Sequence, residues 1–499
     1  MTKQVHSVMA LLAAIIVAGG AVQNAAAQGY GAPLTMQGLN HSSLSSAAAR
    51  ATGGITVGID NDPSVMFENP ASLARLERIQ FTLIGTEQFR NAQQTQEWLP
   101  LRNFPTFSLM MEGLIDSVND PDLETFPPAD GVLGPIDSIP RPYDQIKPNW
   151  TRSQQRALPL QACVAVPLAV AGMRIVGGAG IVQYANLDYY FRNSNVLSPS
   201  LGTQRPYGVP LPGIGQEVAV RWSQYVQSRE GSINGYGGAV SILVTDELSF
   251  GISGLLLRGE SDDMEATLGR GRLRFGNDNN LYYFVLDSVD WRETKTGTST
   301  FKSSEYTFSS LYKGEYITLS LAVKAPNTFF RTLTTEVQKD TAGSSTTTPL
   351  TYRDRMKLPW RGTAGLSLAV HEGLTLALEY EIRPYASAEY MDAHRVVSHP
   401  WLSGSAFRAG AQYTPAPWLT IRAGFRTEAE VFQEEGNALV GEPLRYTTYS
   451  AGFGFGMGRA HFDFSYEYSQ MKYQDLWQTN INLNSATRQL VMASVSYSL

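Results

Sequence analysis

The segment Leu374–Arg383 reads LTLALEYEIR, with large apolar residues at even-numbered positions and small or charged residues at odd-numbered ones. The segment 460–469 repeats the pattern in AHFDFSYEYS. Successive side chains of a strand point to opposite faces of its sheet, so a period of two predicts β-strands. The same alternation is visible in 417–428 and 445–457. The C-terminal part of the chain is therefore expected to be a series of strands that share one apolar face.

A soluble β-sandwich and a transmembrane barrel would both show this alternation. The segments are about ten residues long, which is what a tilted strand needs to cross a bilayer. Aromatic residues end the apolar face, and short links alternate with long loops, as in outer-membrane barrels. We therefore predict an all-β protein, a transmembrane antiparallel 14-stranded outer-membrane β-barrel with a small N-terminal plug (hatch) inside the lumen.

The fourteen predicted strands run from 79–90 to 486–498. The sixth and seventh are placed at 313–325 and 328–338, joined by a tight link at 326–327. The predicted long loops of the first two thirds of the chain are 91–156, 187–232, 261–312 and 339–357.

The composition excludes several other classes of protein. Only 17% of the 499 residues are charged, against about 25% in ordinary soluble proteins, and 43% are hydrophobic. The net charge of -6 leaves no basic footprint for nucleic acid. One cysteine excludes an intramolecular disulfide framework, and the histidines lack metal-ligand spacing. We expect no enzymatic activity, no cofactor and no metal.

The N-terminal residues predict three consecutive parts of the chain. Lys3, an apolar stretch and the sequence Ala25-Ala26-Ala27 make residues 1–27 a signal peptide, cleaved after Ala27. The mature protein is then exported, and we place it in the outer membrane of a Gram-negative bacterium. Residues 28–78 do not alternate and are predicted to form the plug, whereas residues 79–499 form the barrel.

The most distinctive motif lies in the predicted plug. Pro70 fixes its own φ and disfavours helical geometry at the preceding residue. Asn69 is expected to hydrogen-bond local backbone, so the sequence Asn69-Pro70-Ala71 is predicted to make a turn that leads the chain from the lumen to the barrel wall. The motif consists of Gly53, Gly54, Asp60, Asp62, Phe67 and Asn69-Pro70-Ala71-Ser72-Leu73-Ala74.

This stretch resembles the FadL/TodX family of outer-membrane transporters for long-chain fatty acids and other hydrophobic compounds. The resemblance implies passive uptake: loops capture the substrate, a pocket inside the barrel holds it, and plug movement lets it leave sideways at a kink in the third strand. It implies a gating or structural role for Asp60, Asp62, Asn69, Pro70 and Ala71.

Glycine weakens strand pairing and marks bends. In the predicted third strand, Gly177, Gly178 and Gly180 are therefore the candidates for a lateral opening. The alternative is that these small residues let the plug pack against the wall.

The substrate-pocket candidates are of two kinds. Leu255 and Leu257 belong to a run of three leucines, of which at least one faces the lumen, and Tyr189 and Phe191 could line an entrance. The alternatives are contact with the plug for the leucines and an interfacial girdle for the aromatic residues. The inward-facing Arg408, Arg422 and Arg426 either bind a substrate carboxylate or pair with lumen acids.

The expected partners are the lipid bilayer of the outer membrane and a hydrophobic small molecule such as a fatty acid. We expect that the protein binds no nucleic acid and that it is a monomer. Two other functions fit the same barrel: a shuttle or anchor component of type IX secretion, which would bind surface or secretion proteins, and a non-specific porin.

Overall fold

The computed structural model describes residues 34–40, 46–59, 62–97, 149–170, 173–198, 213–278, 281–287, 291–341, 343–431, 444–477 and 480–499. The predicted signal peptide and Asp60 lie outside the described residues.

Fourteen antiparallel strands form one closed barrel, as predicted. Hydrogen bonding closes it between the first and last strands, from Gln80 opposite Ser498 to Glu97 opposite Ile481. The strands are β1 (Gln80–Glu97), β2a and β2b (Trp150–Ala157 and Gln161–Val170), β3a and β3b (Met173–Asn186 and Tyr189–Ser198), β4 (Glu217–Leu243), β5 (Leu248–Asp278), β6 (Trp291–Lys313), β7a and β7b (Ile317–Lys324 and Asn327–Thr341), β8a and β8b (Ser344–Leu358 and Arg361–His371), β9 (Leu374–Arg383), β10 (Gly404–Ala416), β11 (Leu419–Ala429), β12 (Arg445–Met457), β13 (Ala460–Trp477) and β14 (Asn480–Ser498).

The alternation of the sequence sets which face of each strand points outward. On β9, Leu376, Leu378 and Tyr380 are exposed on the outer surface. Glu379 and Glu381, at the alternate positions, are buried inside the barrel. The same apolar-out, polar-in arrangement holds in β13.

The predicted sixth and seventh strands are two parts of one strand, so the tight link predicted at 326–327 is wrong, and the true sixth strand lies mostly in the predicted loop 261–312. β7a and β7b both pair with β6, with Lys324 opposite Thr307 and Phe330 opposite Lys302, so they are one strand with a bulge at 325–326. The turn instead lies between β6 and β7a. Pro326 cannot donate a ladder hydrogen bond, and a bulge accommodates it without ending the strand. Pro159 and Pro359 occupy the corresponding breaks in β2 and β8.

Much of the predicted loops 187–232, 261–312 and 339–357 is also strand. β5 alone has 31 residues, and β4, β6, β7b and β8a extend beside it. These extensions are mostly polar, so no apolar alternation marks them in the sequence. The barrel is consequently tall along β4–β8 and short along β9–β12. Short strands also occur at Leu281–Asp287, Glu389–Met391 and Val397–Ser398.

The ladder between the second and third strands is incomplete. It ends where Ala162 lies opposite Ile181. Above this point β2a pairs with β1 and β3b pairs with β4, and within the described residues no ladder joins β2a to β3. Side chains bridge the interval: Arg156 pairs with Asp188 at 2.5 Å, and the Trp150 indole donates to the Arg192 carbonyl at 2.9 Å.

The described part of the N-terminal segment lies inside the barrel. It contains helix α1 (Ala47–Ala51) and two 3₁₀-helices, Pro63–Phe67 and Pro70–Arg75. A further 3₁₀ turn, Tyr385–Ser387, follows β9. Among the described residues, no helix has the length and apolar character needed to cross a membrane.

Candidate functional site

The lumen has two unlike walls. The inner faces of β9–β13 carry paired charged side chains, whereas the inner faces of β3–β8 carry a continuous apolar cluster beside separate buried ion pairs, Arg229–Asp263 and Arg331–Asp354. The N-terminal segment lies between them and contacts both. We call these surfaces the charged wall and the apolar wall.

The charged wall holds α1 and the residues after it. Arg50, in the last turn of α1, pairs with Glu467 at 2.8 Å. The Glu379 carboxylate accepts hydrogen bonds from the backbone amides of Thr56 and Val57 at 2.6 and 2.7 Å. All these groups are buried, and removing one partner of a buried ion pair costs about 3–5 kcal/mol. This wall therefore anchors the N-terminal segment.

The three predicted substrate arginines belong to the charged wall, and each has an acidic partner. Arg408 contacts Glu381 at 2.5 Å and Glu379 at 3.4 Å. Arg422 contacts Asp463 at 2.6 Å, and Arg426 contacts Glu467 at 3.1 Å. Each of the three arginines thus pairs with a lumen acid in this structure, and binding of a substrate carboxylate by any of them stays a prediction.

The apolar wall contains both predicted leucines. Leu255 and Leu257 are buried and belong to one continuous cluster, whereas Leu256 between them faces outward and is 57% exposed. The N-terminal segment contributes Met36, Leu39, Met66, Phe67, Leu73 and Leu76 to this cluster. The strands contribute, among others, Val176, Val182, Tyr184, Ile233, Ala239, Phe301, Phe329, Met356 and Leu358.

A buried ionic group lies against this cluster. Lys324 contacts Glu305 at 3.0 Å and Glu68 of the N-terminal segment at 2.9 Å. Arg361 pairs with the same Glu305, and the Tyr184 hydroxyl donates to it at 2.7 Å. The sequence does not predict this group, because its members come from four strands and the N-terminal segment, and Glu305 lies in a stretch predicted to be a loop. The available signal was the alternation along each strand, which assigns these residues to the inner face.

The Asn-Pro-Ala motif begins the second 3₁₀-helix and packs against the inner faces of β5 and β6. The Ala71 amide donates to the Ser309 hydroxyl at 2.7 Å, and the Ser249 hydroxyl donates to the Ala71 carbonyl at 3.0 Å. A Cβ at Gly251 would lie 2.4 Å from the Ala71 nitrogen and from the Pro70 carbonyl carbon.

The expected local hydrogen bond of Asn69 is not found. Its side-chain amide is buried and has no partner among the described residues. Instead, the Ser72 hydroxyl donates to the Asn69 backbone carbonyl at 2.7 Å. The turn is thus held through the backbone of Asn69.

Asp62 links α1 to the first 3₁₀-helix of the N-terminal segment. Its carboxylate accepts from the Ser46 hydroxyl at 2.5 Å and from the Ser64 amide at 2.9 Å, so it caps the first 3₁₀-helix and holds the N-cap residue of α1. Burial raises the pKa of the Asp62 carboxyl, and the hydrogen bonds from both serines oppose this rise. Asp62 also lines a polar cavity of about 500 Å³ at the short-turn end of the barrel.

The three candidate glycines lie within continuous ladders on both sides. The irregularities of the third strand are elsewhere: a register shift at Gln183–Ala185 and the break between β3a and β3b. Gly178 and Gly180 face the Met66 side chain, which would lie 2.8 Å from a Cβ at either position. These two glycines therefore give room to the N-terminal segment, as the alternative interpretation held.

Tyr189 and Phe191 point into the lumen, where they pack with Leu34 and Tyr225. They also line a small cavity of about 40 Å³ together with Trp150 and Tyr190, beside the interval without a ladder. The Trp150 and Tyr190 rings meet edge to face, 5.2 Å apart. An aromatic recess therefore adjoins the incomplete part of the wall.

The described residues contain no group of three or more His, Cys, Asp or Glu side chains placed to hold a metal ion.

Comparison with solved structures identifies the fold. A FadL homologue from Pseudomonas aeruginosa superposes with a TM-score of 0.55 and 13% identity, covering 92% of this chain and 99% of that one. The Ralstonia pickettii toluene transporter TbuX gives 0.50 and 12%, covering 96% and 100%. The Pseudomonas putida toluene transporter TodX gives 0.50 and 14%, covering 92% and 99%.

No family model matches the chain, and no curated protein is similar to it in sequence. The resemblance inferred from the plug motif is thus confirmed at the level of the fold.

Proposed function

We propose that this protein is an outer-membrane transporter that takes up hydrophobic small molecules passively. The observation that carries the proposal is the buried apolar cluster on the inner faces of β3–β8, enclosed by a barrel whose outer face is also apolar. A water-filled pore gains nothing from such a lining, whereas a hydrophobic cargo gains about 0.8 kcal/mol for each buried CH₂. The similar solved barrels described as transporters add support.

The path we propose begins at the aromatic recess and continues along the apolar wall. Because the N-terminal segment fills that wall at Met66 and Phe67, it must shift before cargo can pass. Exit is sideways, at the interval between β2a and β3, where side chains rather than a ladder close the wall. Leu158 is buried there and Leu160 is 77% exposed, so apolar groups line both ends of this short route.

Long-chain fatty acids are the cargo class that we favour. The apolar wall ends at Lys324 and Arg361, and a cargo carboxylate that replaced Glu68 would meet the Lys324 ammonium. Arginine and lysine bind carboxylates through charge-assisted hydrogen bonds. A neutral hydrocarbon would use the apolar wall alone.

The test measures uptake of a fluorescent long-chain fatty acid and of toluene into vesicles that contain the purified protein. Leu257→Asn places an unpartnered amide in the apolar wall and should lower uptake of both compounds at least tenfold. The matched control is Leu350→Asn on an exposed strand, which should leave uptake unchanged. Lys324→Gln should lower uptake of the fatty acid and spare toluene.

Equal uptake by the Leu257→Asn and Leu350→Asn variants would contradict the proposed path. High ion conductance in planar bilayers together with unsaturable uptake would instead favour a non-specific porin. Equal effects of Lys324→Gln on both compounds would remove the preference for fatty acids.

A further inference from the structure

A row of cations crosses the outer surface of four neighbouring strands. Arg258 on β5 lies opposite Lys302 on β6, Lys302 lies opposite Phe330 on β7b, and Phe330 lies opposite Arg355 on β8a. All four side chains are exposed. We call Arg258, Lys302 and Arg355 the basic row, with Phe330 standing between its second and third members.

The basic row is not neutralised by neighbouring acids. In the portion of the chain that the structure describes, none of its three side chains forms an ion pair, and Arg258 donates to the Leu257 carbonyl at 2.8 Å. Arg353 and Lys357 face outward on the same strand as Arg355. Of these two, Lys357 contacts Glu389 at 3.2 Å. This cationic surface stands out on a chain whose net charge is -6.

The height of the basic row above the short-turn end of the barrel follows from the position of Lys302 on β6. Below Lys302, the outward residues Tyr306, Phe308 and Tyr312 are 45–51% exposed, so the apolar band runs down to Tyr312 near the short-turn end. Ten residues at about 3.3 Å each, tilted by about 40°, rise by roughly 25 Å. That is the height of the apolar band of an outer-membrane barrel. The basic row therefore lies where the hydrocarbon layer ends on the long-loop side.

We propose that the basic row binds the phosphate groups of lipid headgroups in the outer leaflet. The inference rests on the outer-membrane location proposed above. At this level the layer in contact with the barrel consists of headgroups, and the guanidinium groups of Arg258 and Arg355 suit phosphate because a guanidinium can donate two parallel hydrogen bonds. Headgroup binding would hold the tall β5–β8 side of the barrel at a fixed depth.

The test uses diphosphoryl lipid A as the probe and native mass spectrometry in a neutral detergent as the measurement. The Lys302→Gln/Arg355→Gln variant removes two cations of the row. With about 1 kcal/mol for each cation near an anionic surface, its affinity for lipid A should fall about 30-fold. The matched control, Arg78→Gln/Arg459→Gln, removes two cations at the short-turn end and should bind lipid A as the unmodified protein does.

Two further arms identify the ligand. Lipid A from which the phosphates have been removed should bind the unmodified protein and the Lys302→Gln/Arg355→Gln variant equally. Inorganic phosphate should fail to displace lipid A at matched concentration, and efficient displacement would overturn a lipid site in favour of free phosphate. Equal losses in the two double variants, or no loss in either, would also overturn the proposal.

Cargo uptake separates this inference from the proposed function. The Lys302→Gln/Arg355→Gln variant should take up cargo normally in phosphatidylcholine vesicles. If the unmodified protein takes up no cargo but binds lipid A through the basic row, the transport proposal fails and the headgroup site stands. Reduced uptake by this variant in neutral vesicles would show that the row serves the cargo rather than the membrane, and would overturn the inference.

Discussion

Several individual residues of the lumen hold the N-terminal segment in place. Arg50 of the segment and Glu379 and Glu467 of the barrel belong to this group, because they form the contacts between the segment and the charged wall. Asp62 differs from them, since its carboxylate is held by hydroxyl and amide groups rather than by a cation. Its charge is therefore the more costly one to bury.

Asp62 gives a pH dependence that can be measured. Its raised pKa means that the folded chain binds this proton more tightly than the unfolded chain does. The stability of the docked segment should therefore increase as pH falls through the raised pKa, and the gain should be complete below the ordinary value of about 3.9. Asp62→Asn keeps an acceptor and removes the charge.

We expect the Asp62→Asn variant to be more protected than the unmodified protein at neutral pH, and equally protected at low pH. Hydrogen exchange of the amides in α1, corrected for intrinsic rates, measures the difference. A difference that does not depend on pH would show that the Asp62 charge plays no part in docking.

At the level of secondary-structure elements, the second 3₁₀-helix and β5 depend on each other. Because Gly251 has no Cβ, the backbone at Pro70 and Ala71 can lie directly against β5. The Ala71 amide then donates to the Ser309 hydroxyl, and the Ser249 hydroxyl donates to the Ala71 carbonyl. Gly177 provides a contrast, because a Cβ at that position would meet no atom within 4 Å. The two glycines are both in strands but only one is needed for close approach.

Gly251→Ala should displace the 3₁₀-helix Pro70–Arg75 and destabilise the docked segment by about 1–3 kcal/mol, as overpacking does elsewhere. Gly177→Ala, the matched control, should leave docking unchanged and strengthen its strand slightly. Hydrogen exchange over 69–76 reports docking directly. Equal exchange in the two variants would mean that the close contact at Gly251 is unimportant.

For the whole molecule, the outward apolar face is the feature that requires a bilayer. Leu378 is the central outward residue of the ten-residue strand β9 and is 47% exposed. On the tall side of the barrel, the hairpin of β7b and β8a extends beyond the apolar band with exposed serine and threonine residues. The two regions should respond very differently to an added charge.

Leu378→Arg should lower the free energy of unfolding in vesicles by about 2–4 kcal/mol, since it places a cation near the bilayer midplane. Thr347→Arg on the exposed hairpin should change it by less than about 0.5 kcal/mol. Urea unfolding followed by tryptophan fluorescence measures both variants. Similar small effects would indicate that water rather than lipid surrounds β9.

The sequence predicted the barrel well where alternation was strong and poorly where prolines interrupted it. The inward positions of Glu379, Arg408 and Arg426 followed from a period of two, because that period is a local property of extended chain. The Pro326 region was read as a turn because local composition does not distinguish a turn from a bulge within one strand. Only the pairing of β7a and β7b with the same neighbour shows the difference.

The sequence by itself therefore determined the class of fold, the direction of each face and the turn at Pro70, because alternation and the geometry of proline are local properties. The total of fourteen strands matched because dividing β7 into two strands compensated for missing β6. The tertiary structure alone decided which carboxylate partners each lumen arginine, where the second and third strands part, and that the apolar cluster gathers on the inner faces of β3–β8. These features join residues that are far apart in the sequence, by 27 positions for Arg408 and Glu381 and by 417 for Arg50 and Glu467. They arise only when the barrel closes and its curvature brings inward-facing side chains of distant strands together.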